Sequence, residues 1–158
     1  MKLPIKPVTL PKDLVGKTNG KLPDFLLKPI PGGHMHHTAA DAYINLHSSA
    51  LKADIDLEPT SDVDTYRRYS VQLGAFLHRY DNTPRKGLPK RFQGRLWWLK
   101  PGFAGAAVPG TSNHGWGLAI DLKNCNQKTL EWLYVNADKH GFSWEDQSEP
   151  WHIRYYKG

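Results

Sequence analysis

The stretch 111–122, "TSNHGWGLAIDL", sets a histidine and an aspartate, His114 and Asp121, inside a run of glycine and apolar residues. Its second half, "LAIDL" at 118–122, has the apolar density of a short strand packed into a core. An ionised carboxylate buried in such a strand costs roughly several kcal/mol unless a cation or strong donors meet it. Asp121 therefore calls for a positive partner. A zinc ion shared with His114 answers that demand, because imidazole and carboxylate are both good zinc ligands and a divalent ion reverses the penalty of burying the acid.

A catalytic zinc site needs a third protein ligand and a base beside an open coordination position. The segment 148–156, "SEPWHIRYY", supplies both: Glu149 and His152 lie three residues apart, with Pro150 fixing the backbone between them. If His152 begins a strand, Glu149 sits in the preceding turn and can serve an attacking water as general base without binding the metal. The expected ligands are thus His114, Asp121 and His152, holding one zinc per chain. Cys125, four residues beyond Asp121, is the alternative fourth ligand of a closed structural site; its expected place is past the end of the strand. The run 32–37, "GGHMHH", offers a rival cluster in His34, His36 and His37. Adjacent histidines point in different directions on most backbones and no carboxylate accompanies these, so the segment reads as a loop bordering the cleft.

The remaining pattern places these residues on a fold. Six of the twelve prolines fall in residues 1–31, predicting an extended, turn-rich N-terminal segment over 1–33, draped over a body spanning 34–158 in a single domain. Thr38 and Asp41 form a capping-box-like start for a helix over 39–53, with Ala42, Leu46, Ala50 and Ala53 at helical spacing. A second helix is expected across "DVDTYRRYSVQLGAFLHRYD" (62–81), with Tyr69, Leu73, Phe76, Leu77 and Tyr80 on its packed face. A third follows 127–141 and ends at Gly141. Short strands are expected at 53–58, 94–99, 118–122 and 151–156. The fold class is α+β, a small and largely antiparallel sheet with helices packed on one side and the zinc site in a cleft on the sheet.

Composition narrows the function. The chain has 158 residues, a formal net charge of +6 and one cysteine, so it holds no internal disulfide and favours anionic partners such as a cell-wall polymer. The basic residues are scattered, without a nucleic-acid module, and no nucleic acid is expected as partner. No apolar stretch has the length of a signal-peptide core or of a membrane span.

The motif Ser112, His114, Asp121 with Gly117 and Ala119 between, followed by "EPWH" at 149–152, resembles the zinc D-alanyl-D-alanine carboxypeptidases (VanY-like) and the related phage L-alanyl-D-glutamate endopeptidases. The resemblance covers about residues 60–156. It implies zinc held by the two histidines and the aspartate, water activated by Glu149, and an oxyanion stabilised by an arginine from an upstream motif. Here "DTYRRYSVQ" (64–72) stands in that place, giving Arg67 and Gln72; Asp64-Thr65 replace the usual Ser-Gly, and Arg68 is the alternative arginine. Ser112, Gln72, Trp116 and Trp151 are then expected to line or support the site. The implied substrate is a stem-peptide amide of bacterial peptidoglycan. The implied setting is a phage endolysin, monomeric, without a signal peptide, made in the host cytoplasm and released to the wall through a holin. A zinc-bearing wall-binding domain without catalysis is the competing expectation, and Glu149 distinguishes the two.

Overall fold

The computed structural model describes all 158 residues. Strands β6 (Ala119–Asp121), β7 (Phe142–Trp144) and β8 (His152–Tyr155) form an antiparallel sheet with β8 in the middle. Residues paired across an antiparallel ladder share a face. The register Ile120↔Ile153 and Trp144↔Ile153 therefore puts three apolar side chains on one face, all nearly inaccessible to water. The alternate face carries the pairs Asp121↔His152 and Ser143↔Arg154. One sheet thus separates a hydrophobic core from a polar site with a period of two residues.

The core face is covered by α1 (His37–Lys52), which buries Ala39, Ala40, Tyr43, Leu46 and Ala50 at helical spacing, and by α3 (Gln127–Asn136) through Leu133. Each large aliphatic side chain buried in this way contributes about 1.5–3 kcal/mol. Asn126 caps α3 by accepting from Thr129 N at 3.0 Å. Tyr43, fully buried, donates its hydroxyl to the Leu57 carbonyl at 2.6 Å, so the phenol is satisfied within the core.

Residues 1–33 contribute Leu3, Leu14, Leu22, Leu26 and Ile30 to this same core cluster. The segment is stitched on by a bridge between Ile5 and Trp144 and by Thr9 N donating to Tyr156 O at 2.8 Å. A hairpin of β1 (Leu27–Ile30) and β2 (Gly33–His36) leads directly into α1. A second, smaller cluster, Phe76, Tyr80, Phe92 and Trp97, joins α2 (Tyr69–Arg79) to a three-stranded sheet of β3 (Tyr80–Asp81), β4 (Lys90–Phe92) and β5 (Arg95–Leu99).

The α+β class stands, with the antiparallel pairing divided among three small sheets. Several local expectations differ. The helix start at Thr38 moves back: His36 is the N-cap with no side-chain cap bond, and Asp41 pairs with Lys28 instead of closing a capping box. The helix over 62–81 breaks into a single 3₁₀ turn at Asp62–Asp64, an irregular Thr65–Arg68, and α2. There the backbone polar groups have tertiary partners that outcompete a helix, Tyr66 N on His34 O and Arg67 N on His114 O. Gln72 is buried on α2, while Leu77, expected on its packed face, is exposed. Residues 53–58 form no strand; Ile55 and Leu57 are buried from an irregular segment. The run 32–37 is no loop, because it holds β2 and the first residue of α1.

Candidate metal centre

Asp121 ends β6 and His152 begins β8 directly opposite it, so the sheet register alone brings them together: His152 Nδ1 lies 2.7 Å from Asp121 Oδ1. His114 arrives from the loop before β6, with its Nε2 3.3 Å from Asp121 Oδ2. That loop is shaped by close backbone approach. A Cβ on Gly115 would lie 1.8 Å from Asn19 Oδ1, and one on Gly117, whose φ is +69°, would lie 2.6 Å from His36 N. The glycines flanking Trp116 are therefore required by contacts with the N-terminal segment and β2.

The nitrogens that face away from Asp121 are both engaged. His114 Nδ1 is 2.9 Å from the Thr65 carbonyl, which fixes that nitrogen as the N–H and turns Nε2 toward Asp121. His152 Nε2 lies 2.7 Å from Glu145 Oε2, and Glu145 Oε1 accepts from Asn113 Nδ2 at 2.9 Å. Such outer hydrogen bonds orient imidazole ligands and raise their basicity. The donor atoms of His114, Asp121 and His152 all lie within 4.8 Å of one another, and the histidines are almost fully buried. Two imidazoles and a carboxylate, with outward nitrogens held and inward ones converging, fit zinc and leave its fourth position to a water or a substrate.

Burial alone would raise the Asp121 carboxyl, but the two histidines outweigh it and hold it far below the usual carboxylate range. Burial likewise pulls His152 down, and the hydrogen bonds to Asp121 and Glu145 reverse that and carry it up to about 9.

Arg67 reaches the same centre. Its Nε donates to Val63 O at 2.8 Å and one terminal nitrogen to Asp64 Oδ1 at 2.8 Å, leaving that nitrogen 3.7 Å from Asp121 Oδ2. Arg68 is exposed and makes no such contact, so the geometry favours the first arginine of the pair. Gln72 works behind it: buried on α2, it donates to Arg67 O at 3.0 Å and accepts from Gly110 N at 2.9 Å, tying the arginine to the loop that carries His114. Ser112 Oγ accepts from His114 N at 3.1 Å. Trp116 is half-buried against the core, and Trp151 is 42% exposed beside His152.

Glu149 is half-buried in the turn before β8, its amide bonded to Asp146 O and its carbonyl accepting from His152 N. The carboxylate that touches the cluster is Glu145, absent from the sequence-based set. Strand register brings it there: continuing the β7–β8 pairing one step beyond Trp144↔Ile153 places Glu145 opposite His152. Cys125 stands apart, its Sγ 3.6 Å from Pro150 O, so no fourth protein ligand closes the site.

A His-Asp-His set carried by the sheet and the loop leading into it, with one open position, defines a zinc hydrolase centre. Residues 32–158 match the family model of VanY, D-alanyl-D-alanine carboxypeptidase, and the chain belongs to that family, whose members are zinc peptidoglycan peptidases. No curated protein matches it by sequence. Among solved structures, VanYB in complex with D-alanine-D-alanine superposes with a TM-score of 0.58 at 19% identity, over 82% of this chain and 76% of that one. A VanY D,D-pentapeptidase mutant from a VanB-type resistance cassette, in complex with Zn(II), gives 0.54 at 21%, over 82% and 77%. The LdcB LD-carboxypeptidase gives 0.54 at 23%, over 82% and 62%. The likeness extends the shared fold across most of the chain. No helix is long and apolar enough to cross a membrane.

Proposed function

We propose that this chain hydrolyses an amide of the peptidoglycan stem peptide as a D,D-carboxypeptidase or endopeptidase, with Glu149 as general base and Arg67 as oxyanion donor. The observation that carries the proposal is the convergence of His114 Nε2, Asp121 and His152 Nδ1 beside Arg67 in a member of the VanY family. Zinc, held by those three residues, supplies a Lewis acid that polarises the scissile carbonyl and lowers the pKa of water.

The chain's own groups do the rest. Glu149 accepts a proton as a water oxygen attacks the carbonyl carbon, then delivers it to the nitrogen as the C–N bond breaks. Arg67, held by Val63 and Asp64, directs its guanidinium at the charge developing on the carbonyl oxygen. Glu145 is unsuited to the base role despite its contact with the cluster. It meets His152 at Nε2, on the side of the ring away from Asp121, and so sits behind the ligand rather than over the open position. Its task is to hold His152.

Trp151, part-exposed next to His152, is placed to meet a substrate, and the net positive charge favours approach to an anionic wall. An endolysin setting, with synthesis in a host cytoplasm and release to the wall, belongs to the same proposal. It is tested by lysis of intact cells on co-expression with a holin, against none without it. The central test is digestion of purified muropeptides by the wild type and by Glu149→Ala, with zinc content measured on both. Zinc in both and fragments only from the wild type supports the mechanism. The fragment masses tell a D,D cut from an L-alanyl-D-glutamate cut. Zinc in both with no cleavage of any stem peptide leaves a wall-binding domain and removes the catalytic reading.

A further inference from the structure

A second cluster of the same composition lies outside the catalytic centre. His36 Nε2 is 2.7 Å from Asp13 Oδ1 and His37 Nε2 is 2.5 Å from Asp13 Oδ2, with the three donor atoms within 4.8 Å of one another. The arrangement repeats that of Asp121, where each carboxylate oxygen likewise faces one imidazole nitrogen. The histidines converge although adjacent, because His36 is the extended N-cap of α1 (φ −51°, ψ 137°) and His37 its first helical residue; their ring centroids lie 4.2 Å apart. Asp13 is fixed by its neighbour Leu14, which is wholly buried in the core.

We propose that Asp13, His36 and His37 bind a second divalent transition-metal ion of the zinc class. Two imidazoles and one carboxylate suit zinc and its neighbours in the first row, and disfavour the oxygen-seeking magnesium and calcium. The site is half open, with the His37 side chain 44% and the Asp13 side chain 38% exposed, so solvent completes the coordination. His36 is fully enclosed and its Nδ1 has no partner, which leaves Nε2, the atom aimed at Asp13, as the only polar engagement of a buried ring. An ion there clamps the N-terminal segment to α1. It also pins β2 against the catalytic loop, because His36 N donates to the Gly117 carbonyl at 2.9 Å, three residues beyond His114. The rival account is a metal-free hydrogen-bonded clamp in which Asp13 supplies the negative charge missing from the first turn of α1.

The full chain is stripped with chelator, equilibrated with zinc, dialysed and counted for metal, as wild type, His37→Ala, His114→Ala and the double variant. His37 is chosen because its ring is half exposed, so its removal spares the core; circular dichroism checks each variant for folding. The expected counts are two, one, one and none, with His37→Ala retaining cleavage of stem peptides. One ion in the wild type, kept by His37→Ala and lost by His114→Ala, overturns the proposal and leaves the hydrogen-bonded clamp. Two ions in the wild type and still two in His37→Ala overturn it as well. One ion that survives His114→Ala but is lost in His37→Ala upholds this site and counts instead against the catalytic centre.

Discussion

The two His-His-Asp clusters contain the same ligand types and differ in everything around them. At the catalytic centre the carboxylate and one histidine face each other across two strands, and the second histidine comes from a glycine-shaped loop. Thr65 O and Glu145 hold the outward nitrogens, and Arg67 stands alongside. At Asp13 the histidines share one helix start, His36 Nδ1 is unpartnered, and no arginine or further carboxylate pairs with the cluster. Ligand identity makes a metal site. The surroundings decide whether it does chemistry.

The largest effect should therefore come from a residue that binds no metal. Glu149→Ala is expected to lower turnover of stem peptides by about 10²–10⁴-fold, the usual worth of general acid–base catalysis, while zinc content stays at the wild-type value. Steady-state kinetics beside metal analysis checks it, and loss of zinc together with activity would make Glu149 a ligand. Arg67→Ala comes next, with a fall in kcat of roughly 10²–10³-fold. Since Arg67 also bridges Val63 and Asp64, the melting temperature should be recorded, and Arg67→Lys should restore only part of the rate because a lysine cannot make the same two contacts. A shift in KM alone would assign Arg67 to substrate binding.

Glu145→Gln sharpens the contrast from the metal's side. Glutamine keeps an oxygen for His152 Nε2–H but loses the charge, and disturbing such an outer partner typically weakens metal affinity by about 10–100-fold. Competition with a zinc chelator measures it. An unchanged affinity with lost activity would show that Glu145 acts on the reaction directly.

The sequence singled out the residues that converge at this centre because they sit in a local context that makes them anomalous: an acid in an apolar strand at 118–122 and a histidine at a strand start. Arg67 was legible through its place in a motif, although the helix expected around it does not form there; the irregular backbone at Thr65–Arg68 is what turns it toward Asp121. Glu145 was hidden because its role depends on strand register, which is a tertiary fact. Asp13 was hidden more deeply. It lies 23 residues from His36 in a proline-rich segment, and nothing local reveals that Leu14 carries it into contact with α1. The missed strands, β1 to β4 and β7, are two to four residues long, too short for alternation to stand above noise.

The smallest step, about tenfold per pH unit, is a pH dependence, and it too should separate the clusters. In the metal-free chain His152 is raised to about 9 by Asp121 and Glu145, so through neutral pH it carries a proton that zinc must displace. Zinc affinity at the catalytic centre should rise by about tenfold per pH unit from this group and level off above about 9. At the Asp13 cluster burial pushes His36 down, so His36 adds no such slope at neutral pH. Titrations of His37→Ala and His114→Ala at several pH values would read the two sites separately. The same proton sets a sign for stability. A group raised on folding stabilises the chain fully below its unfolded value of about 6.5 and ceases to do so as pH climbs through about 9. The metal-free chain should therefore lose stability across that window, and saturating zinc should remove the loss, because the ion replaces the proton that held Asp121 and His152 together.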